Sequence, residues 1–226
     1  KGYTWFPGTL TYAPTGSVGK TGSLQAGGSG HGGCGGNGTT SPTSAGGGTN
    51  GFAMAPLLPG APGGYGHQDS PGRAGGGAIL IVAQEVRLDG TLSANGAVGS
   101  TYGGGSAGGS IWVSASRFTG GATGLLRAKG GDAGNSTWYQ LGGGGGGRIA
   151  VAQGMNEAIM AELAASGESP KAQETAPFAA FLGQTQVVAG QQGSQSTEPP
   201  GEAGSVTWVH GFGKGRGSIF SLQCVR

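Results

Sequence analysis

The chain has little with which to do chemistry. Its 226 residues include 2 cysteines, 3 histidines, and 22 charged side chains that leave a formal net charge of +2. A charge so small and dispersed provides neither a basic groove for nucleic acid nor a polybasic membrane surface. No run of about 18 apolar residues is present, which excludes an ordinary transmembrane helix. The opening Lys1-Gly2-Tyr3-Thr4-Trp5 lacks both Met and the basic-then-apolar pattern of a signal peptide, as expected of a processed or trimmed product. Aspartate occurs only as Asp69, Asp89 and Asp132, in separate parts of the chain. Glutamates 157, 162, 168, 174, 198 and 202 gather in one stretch that reads as a helix with surface loops. Glycoside hydrolysis needs two carboxylates flanking one bond, and this distribution offers no such pair. No serine elbow accompanies the histidines.

Nucleotide and metal motifs also fail. GSVGKT at 16–21 ends like a phosphate-binding loop, but the first glycine of that motif falls on Pro14. GFGKGRG at 211–217 lacks the strand and helix that would give it meaning. His31 and Cys34 have the spacing of half a metal site, and His67 and Asp69 could add ligands, but no second pair stands at comparable spacing. The expectation is therefore no metal, no cofactor and no catalytic set. Cys34 and Cys224 are a candidate disulfide that would close almost the whole chain and contribute roughly 4–5 kcal/mol in chain-entropy terms.

What is abundant is glycine, 56 residues, with 11 prolines. The extreme case is Leu141-Gly142-Gly143-Gly144-Gly145-Gly146-Gly147-Arg148-Ile149, six consecutive glycines directly ahead of an apolar stretch. Ordering each costs on the order of 1–2 kcal/mol, so close backbone packing must compensate. Such runs are expected to extend as left-handed polyglycine helices whose amides bond neighbouring segments, or to turn corners at positive φ.

Within the glycine lie two repeated phrases. Five strand starts read Gly, a small residue or Arg, then Ile or Val: Gly77-Ala78-Ile79, Gly109-Ser110-Ile111, Gly147-Arg148-Ile149, Gly204-Ser205-Val206 and Gly217-Ser218-Ile219. Ile79/Ile81/Ala83, Ile111/Val113/Ala115, Ile149/Val151 and Val206/Trp208 continue with a period of two, the mark of a strand buried on one face. A second phrase, Gly-x-Leu-x-Ala-x-Gly, occurs at 22–28, 90–96 and 124–130. The phrases interleave at coil-sized spacing, which predicts like strand stacking on like. The expected fold class is all-β, a glycine-rich parallel β-helix or solenoid-like stack with a short helical insert. The alternative is a β-sandwich with glycine-rich loops, in which Asp89-Gly90 and Asn95-Gly96 could turn hairpins.

Residues 155–166 contain no glycine and place Met155, Ile159 and Leu163 four apart, a short amphipathic helix stopped by Gly167 that should cover a sheet face or an open end. The organisation is then an N-terminal strand segment (1–20), a glycine-rich β region (21–153), a helix and Pro/Gln/Ser-rich insert (154–203) and C-terminal strands (204–226). Tyr3, Trp5, Phe6 and Tyr12 cluster in the first segment, outside the repeat, as a candidate contact between subunits; Tyr102, Trp112, Trp138, Tyr139 and Trp208 follow. Large rings in so glycine-rich a chain serve either to fill volume or to stack on sugars.

GGGAILIVAQEVRLDGTLSANG, AGGSIWVSASRFTG, GLLRAKGGDAG and GGGGGGRIAV, with GGSGHGGCGG upstream and AGSVTWV downstream, resemble segments of very large glycine-rich cell-surface or secreted proteins. The resemblance covers roughly residues 20–210 and implies extracellular exposure and a structural, adhesive or matrix role; it brings no catalytic residue. The functional expectation is an extracellular structural protein, a self-assembling fibre or matrix subunit forming a homo-oligomer or filament. The alternatives are a carbohydrate-binding adhesin, with polysaccharide as partner, and a polysaccharide-acting β-helix enzyme. Two carboxylates roughly 5 to 9.5 Å apart in a pocket would favour the enzyme. An exposed aromatic row without them would favour the adhesin.

Overall fold

The computed structural model describes residues 26–38, 44–65 and 72–212. Among them the chain is mainly β, with a single helix too short to cross a membrane. The strands are β1 (Ala78–Arg87), β2 (Thr91–Ser93), β3 (Ser110–Thr119), β4 (Leu125–Arg127), β5 (Arg148–Gln153), β6 (Ala172–Thr175), β7 (Gln184–Gln186) and β8 (Ser205–Gly211); the helix α1 spans Glu157–Ser166. They form a five-stranded sheet in the order β1-β3-β5-β8-β6 and a three-stranded sheet in the order β2-β4-β7. All pairings are parallel except β6 against β8. From β1 to β5 the chain alternates between the sheets, so Asp89-Gly90 links strands of different sheets and no hairpin forms there.

Register follows the repeated phrases. Ile79 pairs with Ile111, Ile111 with Ile149 and Ile149 with Val206; one pleat on, Ile81, Val113, Val151 and Trp208 form the next ladder. In the second sheet Leu92 pairs with Leu126 and Leu126 with Thr185. A parallel pair cannot slip by one residue without turning its whole apolar set outward, so these ladders fix the alignment. They meet between the sheets in one core with Leu88, Ala94, Phe118, Ala128 and Phe181. Phe118, Phe181, Phe178 and Trp208 close it as a chain of aromatic contacts with centroids 5.1 to 6.2 Å apart.

The opposite face of the larger sheet carries Trp112 and Ala150, covered by Ile159 and Leu163 of α1 and by Ala55. The helix begins at Asn156, whose side chain accepts the Ile159 N–H at 2.9 Å. It ends at Gly167, in the left-handed region at φ 79°, whose N–H reaches the Leu163 carbonyl at 2.8 Å. The expected sheet-covering helix is therefore present. It lies over the middle of the sheet, leaving the β1 edge free of it.

Not every strand of the smaller sheet carries the Gly-x-Leu-x-Ala phrase. Of GSLQAGG at 22–28, residues 22–25 lie outside those described and Ala26 makes an isolated parallel bridge with Leu141. The third strand there is β7, in Gly183-Gln184-Thr185-Gln186-Val187, where Thr and Val replace Leu and Ala. Nor do the consecutive glycines turn corners at positive φ, which among the described glycines occurs only at Gly51, Gly154 and Gly167.

Gly142 to Gly147 are all buried, and their amides fan out to different segments. Gly142 N–H donates to Ala26 and Gly145 N–H to Ser29; Gly105 and Gly108 donate in turn to Gly142 and Gly145. Gly144 donates to Gly131, Gly147 to Ala128 and Gly146 to Glu202. The same neighbour is met again after three residues, the period of an extended helix with three residues per turn. Each such bond contributes about 0.5–1.5 kcal/mol net, comparable with the entropy lost on ordering one glycine. The reason for glycine is steric. A Cβ on Gly144 would land on the Ser106 carbonyl, and one on Gly142 on the Gly36 carbonyl.

The contrast with Gly90, where an added Cβ meets nothing within 4 Å, gives a matched test. Gly144→Ala is expected to lose more than about 3 kcal/mol or fail to fold, because backbone rather than a movable side chain fills the space. Gly90→Ala should change stability by less than about 1 kcal/mol. Urea denaturation of the two variants beside the parent checks the pair.

Candidate functional site

Three places on the molecule carry enough polarity or exposure to be weighed. The first is at the strand starts. Ala78, Ser110, Arg148 and Ser205, the second residues of the repeated phrase, stand in register across the sheet. His31 lies against this row, fully buried. Its Nε2 is 2.8 Å from Ser110 Oγ and its Nδ1 2.8 Å from Asn50 Oδ1. Asn50 Nδ2 donates to the Gly30 carbonyl, which leaves Oδ1 to accept from a proton on Nδ1. Nε2 then faces the Ser110 hydroxyl, whose one proton has a second acceptor in the Leu58 carbonyl at 2.5 Å. Arg148 completes the cluster, donating from Nε to Asn50 O at 2.9 Å and from Nη1 to Ser205 Oγ at 3.0 Å.

Serine, histidine and asparagine side chains in contact resemble a nucleophile, its base and an orienting group. Burial decides otherwise here, since Ser110 and His31 are both 0% exposed and no substrate carbonyl can approach the hydroxyl. The cluster instead ties the loop through Asn50, the segment through His31 and three strand starts into one buried network. Burial, with the nearby Arg148 charge adding to it, lowers the His31 pKa to about 4 against the opposing hydrogen bond to Asn50, so the imidazole is neutral at pH 7. The sequence spacing of His31 and Cys34 does not mark a metal half-site, because both imidazole nitrogens are engaged. Among the described residues no three His, Cys, Asp or Glu side chains converge, while His67 and Asp69 lie outside them. Cys34 is a free, half-buried thiol whose pKa is raised by burial and by Glu202; Cys224 lies outside the described residues.

The second place is a shallow depression lined by Glu85, Arg87, Arg117, Thr119, Gly120, Gly121 and Ala180. Its carboxylates are taken. Glu85 pairs with Arg117 at 3.4 Å and Asp89, just beyond, with Arg87 at 2.6 Å. Asp89 also accepts the Gly121 N–H at 2.8 Å, and that bond, followed by Arg87, holds its carboxyl below the usual range. With both carboxylates engaged in ion pairs, neither stands free at the depression to act as a nucleophile.

The third place is aromatic. Trp112 and Trp208 belong to the two cores, but Trp138 is 84% exposed and Tyr139 meets Tyr102 edge-on at 5.4 Å. Tyr3, Trp5, Phe6 and Tyr12 lie outside the described residues.

Sequence reasoning missed the partners of His31. Asn50 and Ser110 are separated from it by 19 and 79 residues, and the only hint was that the second position of the strand phrase alternates between small and polar residues. No family model, curated protein or solved structure matches the chain.

The His31 cluster makes stability depend on pH. An unfolded histidine takes its proton near pH 6.5 and the folded one only near 4, so between these values the unfolded state binds more protons and stability rises with pH. The contribution is complete above about pH 6.5 and lost on descent to about pH 4, on the order of 3 kcal/mol in all. Urea midpoints measured between pH 4 and 7 should fall accordingly in the parent. In His31→Gln that part of the slope should vanish.

Proposed function

We propose that this chain is an extracellular structural module, a glycine-rich β-helix-like stack that assembles with further copies of itself into a fibre or matrix. The observation that carries the reading is the unpaired outer edge of the stack. Among the described residues β1 pairs only with β3, and β2 only with β4, so both sheets end on the same turn of the chain. β1 is ten residues long and starts Ala78-Ile79-Leu80-Ile81-Val82-Ala83, with Leu80 47% exposed. Charges that discourage strand addition, Glu85 and Arg87, occur only in its second half. At the opposite edge the short antiparallel β6 is added beyond β8.

An edge of this length offers backbone donors and acceptors to a strand of another molecule. A contact between two different surfaces that does not close on itself builds an open array. The N-terminal segment with Tyr3, Trp5, Phe6 and Tyr12 has the alternation and the aromatic bulk to serve as the incoming strand. In-register stacking of like strands supports the β-helix reading, because each turn would then be a template for the next. Extracellular location and the matrix role rest on the resemblance to glycine-rich surface proteins and on the absence of free catalytic groups among the described residues.

Light scattering at rising concentration and negative-stain microscopy test the reading. The intact chain should form particles whose mass grows with concentration. Deletion of residues 1–13, or Leu80→Lys on the exposed edge, should leave a monomer, and the lysine variant should lose less than about 0.5 kcal/mol of stability. An intact chain that remains a monodisperse monomer at high concentration defeats the proposal.

A further inference from the structure

The loop from Asn135 to Gln140 displays a side chain that the fold does not use. Among the described residues Trp138 is the most exposed of the large apolar side chains, at 84%, although the same chain buries Trp112 to 2% and Trp208 to 7%. Its placement is nevertheless built. Ser136, 4% exposed, accepts the backbone N–H groups of both Trp138 and Tyr139 on its Oγ, at 3.2 and 3.1 Å. Gly134 N–H donates to Gly103 O at 2.9 Å and Gly99 N–H to Asp132 O at 2.8 Å, joining this loop to the one that carries Val98 and Tyr102. On the other side Leu141, fully buried, bridges to Ala26. Tyr139 and Tyr102 meet edge-on across the two loops. The indole is thus held out by a turn already ordered, and little conformational entropy remains to be lost on binding.

The chemistry around it narrows the ligand. Residues 98–102, Val-Gly-Ser-Thr-Tyr, and 135–140, Asn-Ser-Thr-Trp-Tyr-Gln, contain no ionisable group other than the two phenols. The nearest carboxylate along the chain, Asp132, spends Oδ1 on the Gln191 N–H at 2.8 Å. Neither loop supplies a cation of its own to meet a phosphate, a nucleic acid or an acidic polymer. A protein partner needs roughly 800 Å² of contact on each side, with an apolar centre. Here the exposed apolar side chains are Trp138 and Val98, set among glycine, serine, threonine and asparagine. One flat, exposed indole on a loop whose sequence neighbours carry hydroxyl and amide groups matches a pyranose ring, whose C–H face is apolar and whose rim is hydroxyl.

We propose that Trp138, with Tyr139 and Tyr102 beside it, is a binding site for a neutral polysaccharide, with the indole stacking on one sugar ring and the neighbouring amide and hydroxyl side chains meeting its hydroxyls. The site would give the module a hold on a glycan surface, and it does not depend on whether copies of the chain assemble.

Affinity electrophoresis of the full chain through gels containing soluble mixed-linkage β-glucan, galactomannan or, as an acidic polymer, alginate tests it. The intact protein should be retarded by at least one of the two neutral polymers, and Trp138→Ala should weaken that retardation about tenfold or more. Trp138→Phe, which keeps a smaller ring, should retain part of it. The melting temperature of the alanine variant should match the parent, since the ring is in solvent. Failure of both neutral polymers to retard the parent overturns the proposal, as does retardation unchanged in Trp138→Ala. Binding to alginate alone also overturns it. If the alanine variant instead loses mass in sedimentation while polymer retardation is unaltered, the indole is a contact between copies and the glycan site is refuted.

Discussion

At many crossings of glycine-rich segments among the described residues, the carbonyl of one occupies the space that a Cβ of the other would need. Gly28 lies so against Gly143, Gly130 against Gly144, Gly145 against Gly33 and Gly190 against Gly131, each segment serving as wall for the next. Hydrogen bonds between backbones set the distance, and the absence of side chains allows it. The non-glycine residues of this region obey the same limit. Ser29 and Ser106 are fully buried with their hydroxyls bonded, Ser29 Oγ to Ala61 O at 2.6 Å and Ser106 Oγ to Arg73 O at 2.7 Å. Each of these two polar side chains completes the backbone network around it.

The sheets depend on this packing because the glycine segments run directly into the strands. Gly77, Gly109, Gly147 and Gly204 are each the last glycine before β1, β3, β5 and β8. Ser110 N–H bonds Gly77 O, Arg148 N–H bonds Gly109 O, and Ser205 N–H bonds Gly147 O, so the stagger of the glycine segments is handed directly to the strands. His31, Asn50 and Arg148 sit at this seam and bond across it. Apolar burial between the sheets supplies the driving force. The seam decides which ladder position each residue takes.

Much of this arrangement could be read before any coordinates. Period-two alternation after each Gly-x-Ile or Gly-x-Val start identified β1, β3, β5 and β8, and matching spacing identified which residues pair, since Ile79 does meet Ile111 and Leu92 does meet Leu126. Local signals served for α1 as well, since the four-residue spacing of Met155, Ile159 and Leu163 and the stop at Gly167 lie within the segment itself. What stayed hidden was set by distant partners. Thr185 takes a leucine's place in its ladder, so β7 lost the apolar letter by which its siblings were recognised. Gly142 to Gly147 are identical in sequence yet differ in every neighbour, and a uniform run holds no record of which segment lies where. The role of His31 was hidden because the partners that use both its nitrogens are 19 and 79 residues away.

The same constraint limits where this chain can carry a specific activity. A glycine walled by carbonyls cannot be replaced by a reactive side chain without displacing backbone, so the packed segments are closed to chemistry. The in-register ladders are nearly as restricted, because a polar residue placed there would lie buried between two sheets. Variation is left to the strand edges, the helix with its flanking loops, and the turns where glycine segments emerge into solvent. β1 and the Trp138 loop both belong to that remainder, one presenting an edge that no other described strand pairs and the other an unburied ring. A fold that fixes so much of its interior by excluding side chains has to place recognition at its periphery, on residues whose exchange leaves the packing unchanged.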